Sequence, residues 1–117
     1  MCSAVIDQAA PIIIDVEASG FGRGSYPIEI GFVLPDGNTH CTLIKPDPSW
    51  THWDVSAEAL HGISREILQK HGKPINDVAA WMNDHLRGTT AYSDAWCNDL
   101  SWLGLLFDFA ELPQLFR

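Results

Sequence analysis

The chain has 117 residues, of which 46% are hydrophobic and 19% charged. That suffices for one domain with a packed core, residues 1–117, and it excludes two ordinary domains and wholesale disorder. Seven Lys and Arg against 15 Asp and Glu give a net charge of -8, which argues against a protein that coats long duplexes by neutralising phosphates.

Ile12-Ile13-Ile14-Asp15-Val16-Glu17 is β-branched and lies between Pro11 and Ser19-Gly20. It predicts a buried strand that turns polar at its end. Phe21–Tyr26 has turn chemistry, and Pro27 opens a second strand over Ile28–Leu34. Pro35-Asp36-Gly37-Asn38 is a turn, and a third strand follows over Thr39–Ile44. These three strands make an antiparallel meander. The pattern then becomes helical. Ser56 is placed to cap a short helix to Leu60, and Ser64 another to Lys70, stopped by Gly72. Pro74 starts a better helix, with Ile75, Val78, Ala79, Met82 and Leu86 on one face and Gly88 at its end. Thr89–Ser93 is a short strand. A last helix runs from Asn98 or Asp99 to Phe109, and Leu112-Pro113 breaks it. The order β-β-β-α-α-α-β-α predicts an α/β domain with a mixed sheet.

No apolar run approaches the roughly 18 residues that cross a bilayer. The first residues lack the basic flank and apolar core of a secretory signal. Three cysteines, Cys2, Cys41 and Cys97, form no CxxC pair, and this sparse, odd set fits a reducing cytoplasmic location. Cysteines and histidines never cluster at zinc-ligand spacing. No Gly-rich phosphate loop follows the first strand, which counts against a small-molecule module of that kind.

Asp15 and Glu17 are the first candidates for chemistry. Strand side chains alternate, so both carboxylates share a face, with Cα atoms about 6.6 Å apart. Two such acids can bracket divalent ions, or they can simply end a strand. The first alternative gains weight because acids closing an all-isoleucine run are costly unless paired or metal-bound. Asp94 and Asp99 lie where a strand feeds a helix; capping is the favoured role for Asp94 or Asn98, and Asp99 sits in the first helical turn, with Trp102 and Leu103 one turn later. His61-Gly62-Ile63-Ser64 reads as a helix stop and a new cap, which makes His61 a structural or supporting histidine. Phe21 could stack on a base or join the core. Trp50 and Trp53 lie in a Pro-rich loop, where packing beneath the loop is favoured over base stacking. Trp96 is the better candidate to line a cleft.

Four segments in order carry a resemblance: Ile-Ile-Ile-Asp15-Val-Glu17-Ala-Ser-Gly20, Tyr26-Pro27-Ile28-Glu29-Ile30-Gly31, His61-Gly62-Ile63-Ser64, and Ser93-Asp94 with Asn98-Asp99-Leu-Ser-Trp102-Leu103. Together they resemble the DEDD 3′–5′ exonucleases of the DnaQ-like (DEDDh, ribonuclease T-like) branch. The resemblance implies a ribonuclease H-like mixed sheet, an antiparallel meander plus a parallel strand, flanked by helices. It implies catalytic metal ligands at Asp15, Glu17 and Asp99, holding two Mg2+ or Mn2+ ions. It implies release of nucleoside 5′-monophosphates from single-stranded DNA or RNA 3′ ends. Ala18, Ser19, Gly20 and Phe21 would face the terminal nucleotide, with His61 and Trp96 beside it. Where the family places a Thr after the Glu, this chain has Ala18, so Ser19 is the candidate replacement for that hydroxyl. The family's third motif, His-x4-Asp, has no match: His61 alone has an acid at that offset, Glu66, and it precedes the second motif. The expectation is an exonuclease domain without its final strand and helix and with impaired turnover. The alternative is a non-catalytic remnant that binds nucleic-acid ends or a protein. A bare sheet edge and apolar face then predict a homodimer, or a second polypeptide that completes the fold.

Overall fold

The computed structural model describes residues 11–94 and 96–117. Its elements are β1 (Ile12–Ala18), β2 (Pro27–Val33), β3 (Thr39–Leu43), α1 (Val55–His61), α2 (Arg65–His71), α3 (Ile75–Leu86), β4 (Ala91–Tyr92) and α4 (Trp96–Ala110). The strands form one sheet in the order β3-β2-β1-β4. β1 pairs antiparallel with β2 and parallel with β4, so the mixed sheet expected from the sequence is present.

Period-2 alternation decides which face of β1 is covered. Ile12, Ile14, Val16 and Ala18 are buried, whereas Ile13 and Asp15 are exposed and Glu17 is half-buried. Ile28, Ile30 and Phe32 extend the buried face, which meets Val78, Ala79, Met82 and Leu86 of α3 and Leu103, Leu106 and Phe107 of α4. Burying each such side chain contributes about 1.5–3 kcal/mol, so the apolar face of β1 fixes its register and puts Asp15 and Glu17 on the other side. A bulge between Glu17 and Ala18 shifts the pairing with β2 where the strand reaches its acidic end.

Several boundaries differ from expectation for local reasons. α1 is capped by Asp54, not Ser56: the Asp54 carboxylate accepts from the Ser56 amide at 2.9 Å and the Ser56 hydroxyl at 2.6 Å. Ser64 does cap α2, accepting from the Ile67 amide at 3.1 Å. β4 is shorter than Thr89–Ser93, because Thr89 is held by the end of α3, its amide and hydroxyl both bonding the Leu86 carbonyl. α4 begins at Trp96, earlier than the capping residues indicated.

The outer edge of β4 is not bare, which corrects the expected open edge. The Arg117 amide donates to the Thr89 carbonyl and the Ala91 amide to the Arg117 carbonyl, at 3.1 and 2.7 Å. That is the hydrogen-bond pattern of a parallel neighbour. Buried Asn83 anchors the segment, donating to the Pro113 carbonyl at 2.9 Å and accepting from the Leu115 amide at 3.0 Å. Phe116 packs edge-on against Phe107. α4 lies in its own core through Trp102, Leu103, Leu106, Phe107 and Ala110, so exchanging it between copies would uncover that whole row.

Candidate active site

The C-terminal end of β1, the loop after it, α1 and the first turn of α4 enclose one cleft. Asp15, Glu17, Ala18, Gly20 and Phe21 line it from the strand side, Ala57, Leu60 and His61 from α1, and Asn98, Asp99 and Trp102 from α4. Three acids far apart in sequence therefore meet. Its volume of about 160 Å3 is below the roughly 300–1,000 Å3 of closed small-molecule pockets.

Electrostatics mark the acids as mutually unfavourable. Asp99 is 1% exposed, and burial lifts its carboxyl above the ordinary range. The Ser93 hydroxyl, which donates to it, opposes that rise, and the Asp15 charge adds to it. Glu17 is also raised, first by burial and then by Asp15, with Glu29 and Asp99 adding while His61 opposes. Glu29 stands directly across the sheet from Glu17. A cation among these oxygens would remove the repulsion, and the donor set is the hard-oxygen type that suits Mg2+ or Mn2+. Among the described residues no three His, Cys, Asp or Glu side chains close around a single ion.

The histidine has a fixed tautomer. The Ile63 amide donates to His61 Nδ1 at 3.0 Å, so that nitrogen is unprotonated and the neutral ring carries its hydrogen on Nε2. Nε2 is buried and has no partner among the described residues. With one nitrogen engaged and the other already protonated, neutral His61 can donate a hydrogen bond but cannot accept a proton from water.

The remaining candidates divide clearly. Phe21 is 68% exposed and only grazes Trp102, with ring centroids 6.0 Å apart, so it is not a core residue. Ser19 does not line the cleft, which corrects its expected role as a replacement hydroxyl. It is buried, accepting from the Tyr26 amide at 3.1 Å and pairing with His52 Nδ1 at 2.8 Å. The next residue packs against the same loop: a Cβ on Gly20 would lie 2.7 Å from Asp54 Cβ and 2.8 Å from His52 Cε1. Trp50 is buried and stacked on Tyr26, and Trp53 bonds Glu58 Oε1 at 2.7 Å, so both pack as structural residues. The side chain of Trp96 lies outside the described residues.

Sequence reasoning missed Leu60 and His52. Leu60 is 87% exposed at the lip of the cleft, on a helix with no buried residues. An apolar residue on a short helix lacking an apolar stripe was the available signal. His52 had none, because its partner Ser19 is distant in sequence.

No protein-family profile matches the sequence, and no curated protein matches it. Solved structures do. Apo exonuclease I superposes with a TM-score of 0.76 at 15% identity, over 88% of this chain and 25% of that one. Escherichia coli exonuclease I in complex with a dA16 oligonucleotide gives 0.75 at 15%, over 88% and 24%. Product-bound exonuclease I gives 0.72 at 14%, over 88% and 26%. The chain thus spans about a quarter of the length of these neighbours. Among the described residues no helix is long and apolar enough to cross a membrane. Sheet order, flanking helices and superposition together establish that this protein has the ribonuclease H-like fold of exonuclease I.

Proposed function

We propose that the cleft is a divalent-metal site of a 3′–5′ exonuclease domain, acting on single-stranded DNA or RNA ends and releasing nucleoside 5′-monophosphates. One observation carries the reading: Asp15, Glu17 and Asp99 line a single cleft with an exposed aromatic ring at its mouth. The neighbours in complex with dA16 and dT13 oligonucleotides support a single-stranded ligand.

Asp15, Glu17 and Asp99 would hold Mg2+ or Mn2+, which when bound stabilises the attacking and leaving oxygens of phosphodiester hydrolysis. The chain's own residues then bind and orient. Phe21 and Leu60 add exposed apolar surface to the cleft lining, where a terminal base can stack or pack. His61 closes the α1 side of the cleft, its ring held in place by the Ile63 amide. Gly20 lets the β1 end lie flat against the loop at His52–Asp54, and Asp54 caps the helix that carries Leu60 and His61. The wall opposite β1 is thereby tied to it.

Among the described residues the cleft has no free base, given the His61 tautomer. Losing an acid–base group lowers rates by on the order of 100- to 10,000-fold, so turnover by this chain should be slow. The same observation favours a second reading, a domain that binds nucleic-acid ends or a protein without cutting. Self-association, or completion by a second polypeptide, belongs to the same proposal, and sedimentation at several concentrations reads it.

The test uses 5′-labelled single-stranded DNA and RNA with Mg2+ or Mn2+. Slow metal-dependent shortening from the 3′ end, lost in Asp15→Asn, supports the exonuclease. Metal-dependent binding without shortening, also lost in Asp15→Asn, supports the second reading. Absence of both metal and oligonucleotide binding overturns both. Shortening at full enzymatic rate overturns the inference of impaired turnover.

A further inference from the structure

We propose that His40 and His85 form a two-imidazole site for a borderline divalent transition ion such as Zn2+ or Ni2+, on the side of the sheet that carries the core. The proposal does not rest on the nuclease reading. His40 lies on the edge strand β3, across from Phe32 of β2, and His85 lies in the last turn of α3. Both rings pack on Phe32, with centroids at 5.3 and 5.7 Å, and Trp81 backs His85 at 5.7 Å. The two imidazoles are 4.7 Å apart, centroid to centroid.

Three features suit metal binding. With bonds of about 2.0–2.1 Å, two imidazoles on one tetrahedral ion have centroids roughly 5 Å apart, close to the observed spacing. His85 Nδ1 lies 3.0 Å from the Trp81 carbonyl, which can only accept, so Nδ1 carries the proton and the neutral ring leaves Nε2 as a lone pair. A ring nitrogen donating to a backbone carbonyl is the usual support of a metal-bound histidine. The aromatic wall of Phe32 and Trp81 restricts both rings, so less freedom is lost when an ion binds. No third His, Cys, Asp or Glu joins them among the described residues, so water would fill the remaining positions. Nitrogen donors also separate this site from the oxygen-lined cleft, since imidazole favours Zn2+, Ni2+ and Cu2+ over Mg2+.

The experiment is calorimetric titration of the full 117-residue chain with ZnCl2 and NiCl2. The variants are His40→Phe and His85→Phe, which keep a ring on Phe32 and remove the lone pair. One ion per chain, bound at least about tenfold more weakly by each variant, is the expected result. A melt and a circular dichroism spectrum check that the variants fold. Unchanged titration in both folded variants overturns the site, as does loss of binding in Asp15→Asn instead. Paramagnetic broadening by Ni2+ on the parent chain keeps the test open if a variant misfolds. Broadening first at the His40 and His85 rings supports the site, and broadening first at His52, His61 or His71 overturns it.

Discussion

Replacing Asp99 with Asn should stabilise the metal-free protein at neutral pH. Asp99 is 1% exposed, receives the Ser93 hydroxyl and feels the negative charge of Asp15. Its carboxyl is therefore raised in the folded state relative to the unfolded chain. Between the ordinary carboxylate value and the raised one, the folded state binds more protons, so stability falls as pH rises through that window. Above it, the full penalty is present. Asn removes the charge and keeps an oxygen to accept from Ser93. Part of the penalty is already offset by that hydroxyl, so the gain at pH 7 should be comparable to that of other single stabilising substitutions, roughly 0.5–2 kcal/mol, a rise of a few degrees in Tm. Melts in EDTA at pH 7 and pH 3 read it. At pH 3 the wild-type acid is protonated whether folded or not, and the difference should vanish. Saturating Mn2+ should reverse the order at pH 7, because the ion stabilises only the state that binds it. An Asp99→Asn protein less stable than wild type at pH 7 in EDTA would refute the reasoning, since it would make Asp99 a satisfied structural carboxylate.

Asp15→Asn should abolish calorimetric Mn2+ binding while raising the metal-free Tm, because the acid it replaces raises both Glu17 and Asp99. Phe21→Ala should weaken binding of a single-stranded oligonucleotide by about 1–3 kcal/mol, as read by fluorescence anisotropy, and leave Tm nearly unchanged because the ring is exposed. Asn83→Ala removes both bonds that anchor Pro113 and Leu115. It should cost about 1–3 kcal/mol and speed hydrogen exchange at the Leu115 and Arg117 amides. Gly20→Ala should destabilise by about 1–3 kcal/mol on chemical denaturation, since its methyl meets Asp54 and His52 well inside contact distance.

The order of elements was legible because hydrophobic periodicity and turn chemistry are local. Ile12–Glu17 alternates within itself, so its buried face and the shared face of Asp15 and Glu17 followed from the strand alone. The helical spacing of Ile75, Val78, Ala79, Met82 and Leu86 fixed α3 in the same way, and all five are buried. Asp15 and Glu17 were nameable for the same reason, whereas Asp99 was named only by the resemblance to a family. What a single strand or helix could not contain was the company each side chain keeps. Ser19 looked like a substrate contact until its hydroxyl was found buried against His52. Phe21 fitted core or cleft equally in sequence, and only the fold left it in water. The edge of β4 looked open because nothing local to Pro113–Arg117 announces pairing with Thr89 and Ala91. The His61 tautomer, the repulsion that raises Asp99 and the meeting of His40 with His85 are likewise products of the fold. Periodicity is a property of one segment, whereas charge interaction, burial and hydrogen-bond partnership fall off over a few ångströms in space and depend on segments that the chain brings together from far apart.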